Sequence, residues 1–118
     1  MPANFKVETI LLTKLQFAIA VRHVDCYADG PNRAVPGLEE ENDPDLDFNY
    51  EDRKNPIMKC YKAAAKRGFP AFVVQNGGWC GSSSSILATY AKYGTTTSCV
   101  GGEGGPYAND VYLILDVV

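Results

Sequence analysis

The chain has little of what would settle its class at once. Among 118 residues there is a single histidine, His23, and a single tryptophan, Trp79. Lys and Arg number 11 against 14 Asp and Glu, for a net charge of -3. That balance is not the one of a basic nucleic-acid binder, which needs clustered Lys and Arg to neutralise phosphates, so DNA and RNA are not expected as partners. No apolar run approaches the ~20 residues of a membrane-spanning helix. Lys14, Gln16 and Arg22 interrupt the most hydrophobic stretch, residues 10–24, Asp25 ends it, and no membrane insertion is expected. A basic leader, an apolar core and a small-residue cleavage site do not occur in that order at the start. If the protein is exported, its leader is expected to be missing from this sequence. No two cysteines stand at Cys-x-x-Cys spacing, which removes the common redox and zinc pairings.

What is present fits one folded domain over residues 1–118: 46% of residues are hydrophobic and 21% charged, enough apolar material for one core. The four cysteines are Cys26, Cys60, Cys80 and Cys99. An even, widely spaced set reads as two disulfides, which would place the protein outside the reducing cytosol. Three connectivities are open, and sequence alone does not choose among them. A helix carrying Cys60 would lie on the strand that runs into Cys80, which favours Cys60–Cys80 and leaves Cys26–Cys99.

Residues 6–12 and 17–27 are rich in Val, Ile, Leu and Phe without helix caps and read as strands. Residues 28–47 form a long loop carrying Gly30, Pro31, Pro36, Gly37 and Pro44 among acidic residues; loops of that length are usually functional or pinned by side chains. Asn55-Pro56 opens a helix that Gly68 ends, with Asn55 as cap and Pro56 at the first helical position. Its inner stripe is Ile57, Cys60, Tyr61 and Ala64; Lys59, Lys62, Lys66 and Arg67 are expected to face water. Residues 69–75 read as a core strand, Gly77-Gly78 as a turn or bulge, and residues 82–93 as a capping turn and second short helix ended by Gly94. A glycine-rich loop around Cys99 and a closing strand over residues 111–118 follow. The expected fold class is α+β, a twisted, mainly antiparallel sheet with two short helices, stabilised by disulfides.

Several catalytic and metal patterns fail in detail. Asp43, Asp45 and Asp47 recur as in the first half of an EF-hand loop, but Phe48 stands where the sharp turn needs Gly and Lys54 where the bidentate Glu belongs. They remain the only calcium candidates, and no other cofactor is expected. Gly102, Gly104 and Gly105 lack the helix that a phosphate-binding turn requires. Cys80-Gly81-Ser82 resembles the nucleophile region of papain-like proteases, yet Ser83 occupies the nucleophile's place and His23 lies upstream. A glycosidase would need one loop carboxylate buried to raise its pKa, and a hydrophilic loop argues against that.

What remains is a set of polar and aromatic residues on or near turns: Arg33, Gln75, Asn76, Trp79, Tyr107, Asn109 and Asp110. Sugar recognition uses such groups, an aromatic face against the ring and planar polar groups against neighbouring hydroxyls. Trp79 has an equally good reading as packing over a disulfide.

The order of segments is also familiar. Residues 26–29 (CYAD), 32–36 (NRAVP), Lys59-Cys60 with Ala63-Ala64, 72–80 (FVVQNGGWC), Tyr90 with Lys92-Tyr93-Gly94, and 102–112 (GEGGPYANDVY) resemble a small cysteine-containing extracellular module of invertebrate secreted proteins. It is distantly similar to WSC-type carbohydrate-binding domains. The resemblance covers residues 26–114; WSC domains carry eight cysteines and this chain four, and residues 1–25 lie outside it as added strands. It implies a secreted, non-enzymatic, lectin-like module whose partners are glycans or glycoproteins. Weak single sites would call for a homodimer or tandem display. The rivals are a matrix or adhesion module that binds protein, and a small glycoside hydrolase.

Overall fold

A computed structural model of the protein describes residues 20–115. The strand expected at residues 6–12, and residues 17–19 and 116–118 of the two other expected strands, lie outside these. The architecture is α+β: strands β1 (Val21–Ala28), β2 (Ala71–Gln75), β3 (Trp79–Gly81) and β4 (Ala108–Ile114) form one antiparallel sheet in the order β1-β4-β2-β3. Helix α1 (Pro56–Lys66) and the single turn α2 (Ile86–Thr89) accompany it. The disulfides are Cys26–Cys99 and Cys60–Cys80.

Period-2 alternation splits the sheet into two buried faces. Phe72, Val74, Cys80 and Tyr112 pack on one face with Cys60, Ala63 and Ala64 of α1. Ala71, Val73 and Val111 face the other way, against Ala34, Val35 and Ile86, with Trp79 and Tyr27 at its margin. All five residues of β2 are buried, so its near-continuous apolar run reports a strand covered on both sides. Both sheet edges carry short partners: Leu38 N–H donates to Cys80 O beside β3, and Ala28 N–H to Gly94 O beside β1. These segments occupy backbone groups that an open edge would present.

Four local readings differ from the expectation, the first being that the second helix, expected to reach Tyr93 behind a serine cap, is only the turn Ile86–Thr89 with no side-chain cap from Ser85. Asn55 does not cap α1 with its side chain; it takes a left-handed conformation, φ 52°, and its carbonyl accepts from Lys59 N–H. Asparagine tolerates that region better than most residues. Of the four cations expected to face water, Lys62 is exposed, but the other three do not simply do so. Lys59 pairs with Asp47, Lys66 with Asp43 and Asp45, and Arg67 with Asp43 and Glu41, so the acidic loop is fastened to the helix. The last strand starts at Ala108, three residues earlier than its apolar run suggests, because Asn109 and Asp110 are strand residues.

Candidate functional site

One rung of the sheet organises the site. Asn109 pairs with Tyr27 of β1 on one side and Gln75 of β2 on the other, and Gln75 pairs with Trp79 of β3. Directly opposed residues share a face, which brings Gln75 Nε2 to 2.7 Å from Asn109 Oδ1. Gln75 and Asn109 are both buried, and Asn109 Nδ2 has no hydrogen-bond partner among the described residues. An unpaired buried donor of this kind costs about 1–3 kcal/mol.

Just beyond β1, Asp29 completes the network. Its side chain is wholly buried. Oδ1 accepts from Ala34 N–H at 2.8 Å, and Oδ2 accepts from Arg33 Nη1 at 2.9 Å and Gln75 Nε2 at 2.8 Å. Burial works to raise the pKa of this carboxyl, but the Ala34 amide, Arg33, the Gly30 amide and Gln75 together hold it below the ordinary value. Asp29 is therefore an ionised anchor.

Arg33 uses that anchor. Nη1 donates to Asp29 and also to Gln75 Oε1 at 3.0 Å, while the guanidinium carbon lies 4.5 Å from the centre of the Trp79 ring. Trp79 in turn rests against Gly37 and Gly81. A Cβ on Gly37 would come within 2.6 Å of Trp79 Cζ2, and one on Gly81 within 2.8 Å of Cζ3, so the indole seat depends on both glycines. Arg33, Trp79, Gly37, Glu39 and Glu40 line a recess of about 270 Å³. Glu39 is held by the fully buried Arg53 side chain through two 2.8 Å bonds and also accepts from Cys80 N–H. Arg53 further donates to the carbonyls of Asp47 and Gly78, tying the acidic loop to the β2–β3 turn. Glu40 is exposed and has no partner among the described residues.

The predicted set is thus partly assembled and partly dispersed. Arg33 and Trp79 meet at the recess, with Gln75 and Asn109 behind them as support. Asn76 and Tyr107 lie at the same end of the sheet on exposed turns, both with positive φ at 49°, and Tyr107 O accepts from Asp29 N–H. Asp110, one residue along from Asn109, belongs to the opposite face: it takes His23 Nε2 at 2.6 Å and Gly104 N–H at 2.8 Å. The carboxylates of Asp43, Asp45 and Asp47 are taken by lysine and arginine, with the Asp45 amide also donating to Asp43, and no group of three metal-capable side chains occurs among the described residues.

Sequence reasoning missed Asp29, Glu39, Glu40 and Arg53. Asp29 and Arg33 stand four apart in a Pro- and Gly-bearing loop, a spacing that carries no signal outside a helix. Arg53, one of two adjacent cations after Glu51-Asp52, carried no cue that set it apart from Lys54. No protein-family model matches the chain, and no curated protein shows significant similarity to it.

Proposed function

We propose that the protein is a secreted, non-catalytic recognition domain that binds carbohydrate at the recess beside Trp79. One observation carries this reading: a guanidinium, carboxylates and an indole converge on a single small cavity. A volume of about 270 Å³ falls just under the ~300 Å³ at which drug-sized pockets begin. It offers room for one ring of a glycan whose remainder lies in solvent. Arg33 is pre-oriented by Asp29, Gln75 and Trp79, so little side-chain entropy is lost on binding. Asn76 and Tyr107 stand at the same end of the sheet, where a longer glycan would extend. Two disulfides and the absence of any helix long and apolar enough to cross a membrane, among the described residues, are compatible with export. The resemblance to secreted carbohydrate-binding modules points the same way.

The test is a glycan array probed with oxidised protein, followed by Trp79 fluorescence titration. Binding that fails on Trp79→Ala supports the reading, and an array blank at high protein concentration overturns it. A protein-binding role is the second reading, favoured by Phe48 and Tyr107, which are 78% and 56% exposed. Capture of a secreted partner that free sugars do not displace would favour it.

A further inference from the structure

Resting on the carbohydrate reading, we propose that the recess selects uncharged sugars bearing adjacent hydroxyls and rejects acidic ones, with Arg33 as the donor and Glu40 as the charge filter. The geometry of Arg33 supplies the first half. A guanidinium has five N–H donors in a fixed plane. Both bonds that Arg33 makes within the described residues leave from Nη1. Nε and Nη2 therefore keep the two parallel N–H bonds of the side-on edge, the edge that arginine uses for paired acceptors. The guanidinium carbon lies over the Trp79 ring, 4.5 Å from its centre, so the ring adds a third contact to the two that hold Nη1 in place. Two neighbouring hydroxyl oxygens of a pyranose offer paired acceptors, and so does a carboxylate or sulfate.

The charges around the cavity choose between them. Arg33 is already matched by the buried, ionised Asp29, and Glu39 by the buried Arg53. Glu40 is left over, so the lining carries one uncompensated negative charge. An anionic ligand would find the positive charge of Arg33 already offset and would meet Glu40 besides. A neutral sugar is not repelled, and its hydroxyls both accept from Arg33 and donate to Glu40. Tight selection by one exposed carboxylate is screened by salt, which makes the filter readable.

The experiment compares wild type, Arg33→Lys and Glu40→Gln on matched neutral, carboxylated and sulfated glycans at about 20 mM and about 300 mM salt, spanning Debye lengths well above and below 10 Å. Circular dichroism and disulfide mapping confirm the fold of each variant. Wild type is expected to bind neutral glycans at least tenfold more tightly than acidic ones at low salt, with the gap narrowing at high salt. Arg33→Lys, which keeps the charge and loses the edge, should weaken neutral binding about tenfold. Glu40→Gln should bring acidic glycans within threefold of neutral ones. Wild-type preference for acidic glycans, or a folded Arg33→Lys that binds unchanged, would overturn this inference and leave the carbohydrate reading standing. No binding to any glycan would overturn the carbohydrate reading itself.

Discussion

Two largely irregular segments, residues 39–53 and 95–107, are fastened by different physics. Residues 39–53 are fastened through charge: Arg53 holds Glu39 within the segment and reaches the Gly78 carbonyl of the β2–β3 turn, while Lys59 takes Asp47, and Lys66 and Arg67 take Asp43. Residues 95–107 carry no ion pair among the described residues. They are held by Cys26–Cys99, by backbone bonds such as Val100 N–H to Gly104 O, and by Asp110 and Tyr112, which bond Gly104 N–H and Gly102 O. The first segment supplies Glu39 and Glu40 to the recess; the second ends at Tyr107 beside Asp29. A long segment whose only regular structure is a short 3-10 turn, as at Glu39–Glu41 and Tyr50–Asp52 of the first, can thus be ordered in either of two ways, and the way chosen decides what condition undoes it. Acid should loosen the first segment, and reduction the second.

The largest effect should come from the covalent side. Cys26 and Cys99 are 73 residues apart in sequence, so a Cys26→Ser, Cys99→Ser variant is expected to lose about 4 kcal/mol in the chain-entropy model, against about 3 kcal/mol for the 20-residue separation of Cys60–Cys80. Urea unfolding measures the loss. The two bridges also differ in access: Cys60 and Cys80 are fully buried, whereas Cys99 is partly exposed. Graded dithiothreitol with peptide mapping should open Cys26–Cys99 first, since attack requires a thiolate to reach the sulfur. Opening of Cys60–Cys80 first would break the contrast.

The charge-fastened segment should fail in acid. The Asp43 side chain is wholly buried. Burial pushes its carboxyl pKa up, but hydrogen bonds from Lys66, Arg67 and the Asp45 amide outweigh that and bring it down from 3.8 to about 2. A carboxyl depressed on folding adds stability that is complete above its unfolded pKa and is lost as pH falls from about 4 to about 2. The difference corresponds to about 2 kcal/mol. Asp43→Asn should therefore be less stable at neutral pH by about that amount and show a flatter stability profile over the same window. Asp29, also lowered, should keep part of the acid limb in the variant. An unchanged limb in Asp43→Asn would show that the loop does not depend on this pair.

How far each region could be read in advance follows the same division. The elements set by local patterning were legible: α1 from Pro56, its apolar stripe and Gly68, and β2 from its unbroken apolar run. The turn between β2 and β3 was legible from Gly77, whose φ is 88°. Asn109 and Asp110 looked like turn residues because strands usually lack them; only the partners across the sheet, Gln75, His23 and Gly104, make them acceptable in β4. The helix cations looked solvated for the complementary reason, since their acidic partners lie 12 to 26 residues away in sequence. In the site, Arg33 and Trp79 stood out by residue type, whereas Asp29, Glu39 and Arg53 matter through tertiary contacts that no spacing announces.

The smallest effect tests whether the charge-fastened segment stores strain. Phe48 has φ 58° and is 78% exposed. A bulky side chain is a genuine outlier in the left-handed region, and here the ring recovers little by burial. The conformation is imposed by its surroundings: Phe48 O accepts from Arg53 Nη2, beside the Asp47 carbonyl that Arg53 Nε takes. Turning the backbone to that buried guanidinium forces the positive φ. Phe48→Gly would remove the Cβ clash but give the unfolded chain more freedom, and the two terms oppose each other. Phe48→Asn, which tolerates the same φ with less added freedom, is the cleaner variant and should gain about 0.5–1 kcal/mol in urea unfolding. If the aromatic ring serves a protein interface, the same variant will be more stable and yet bind its partner more weakly, a pairing that relief of strain alone does not produce.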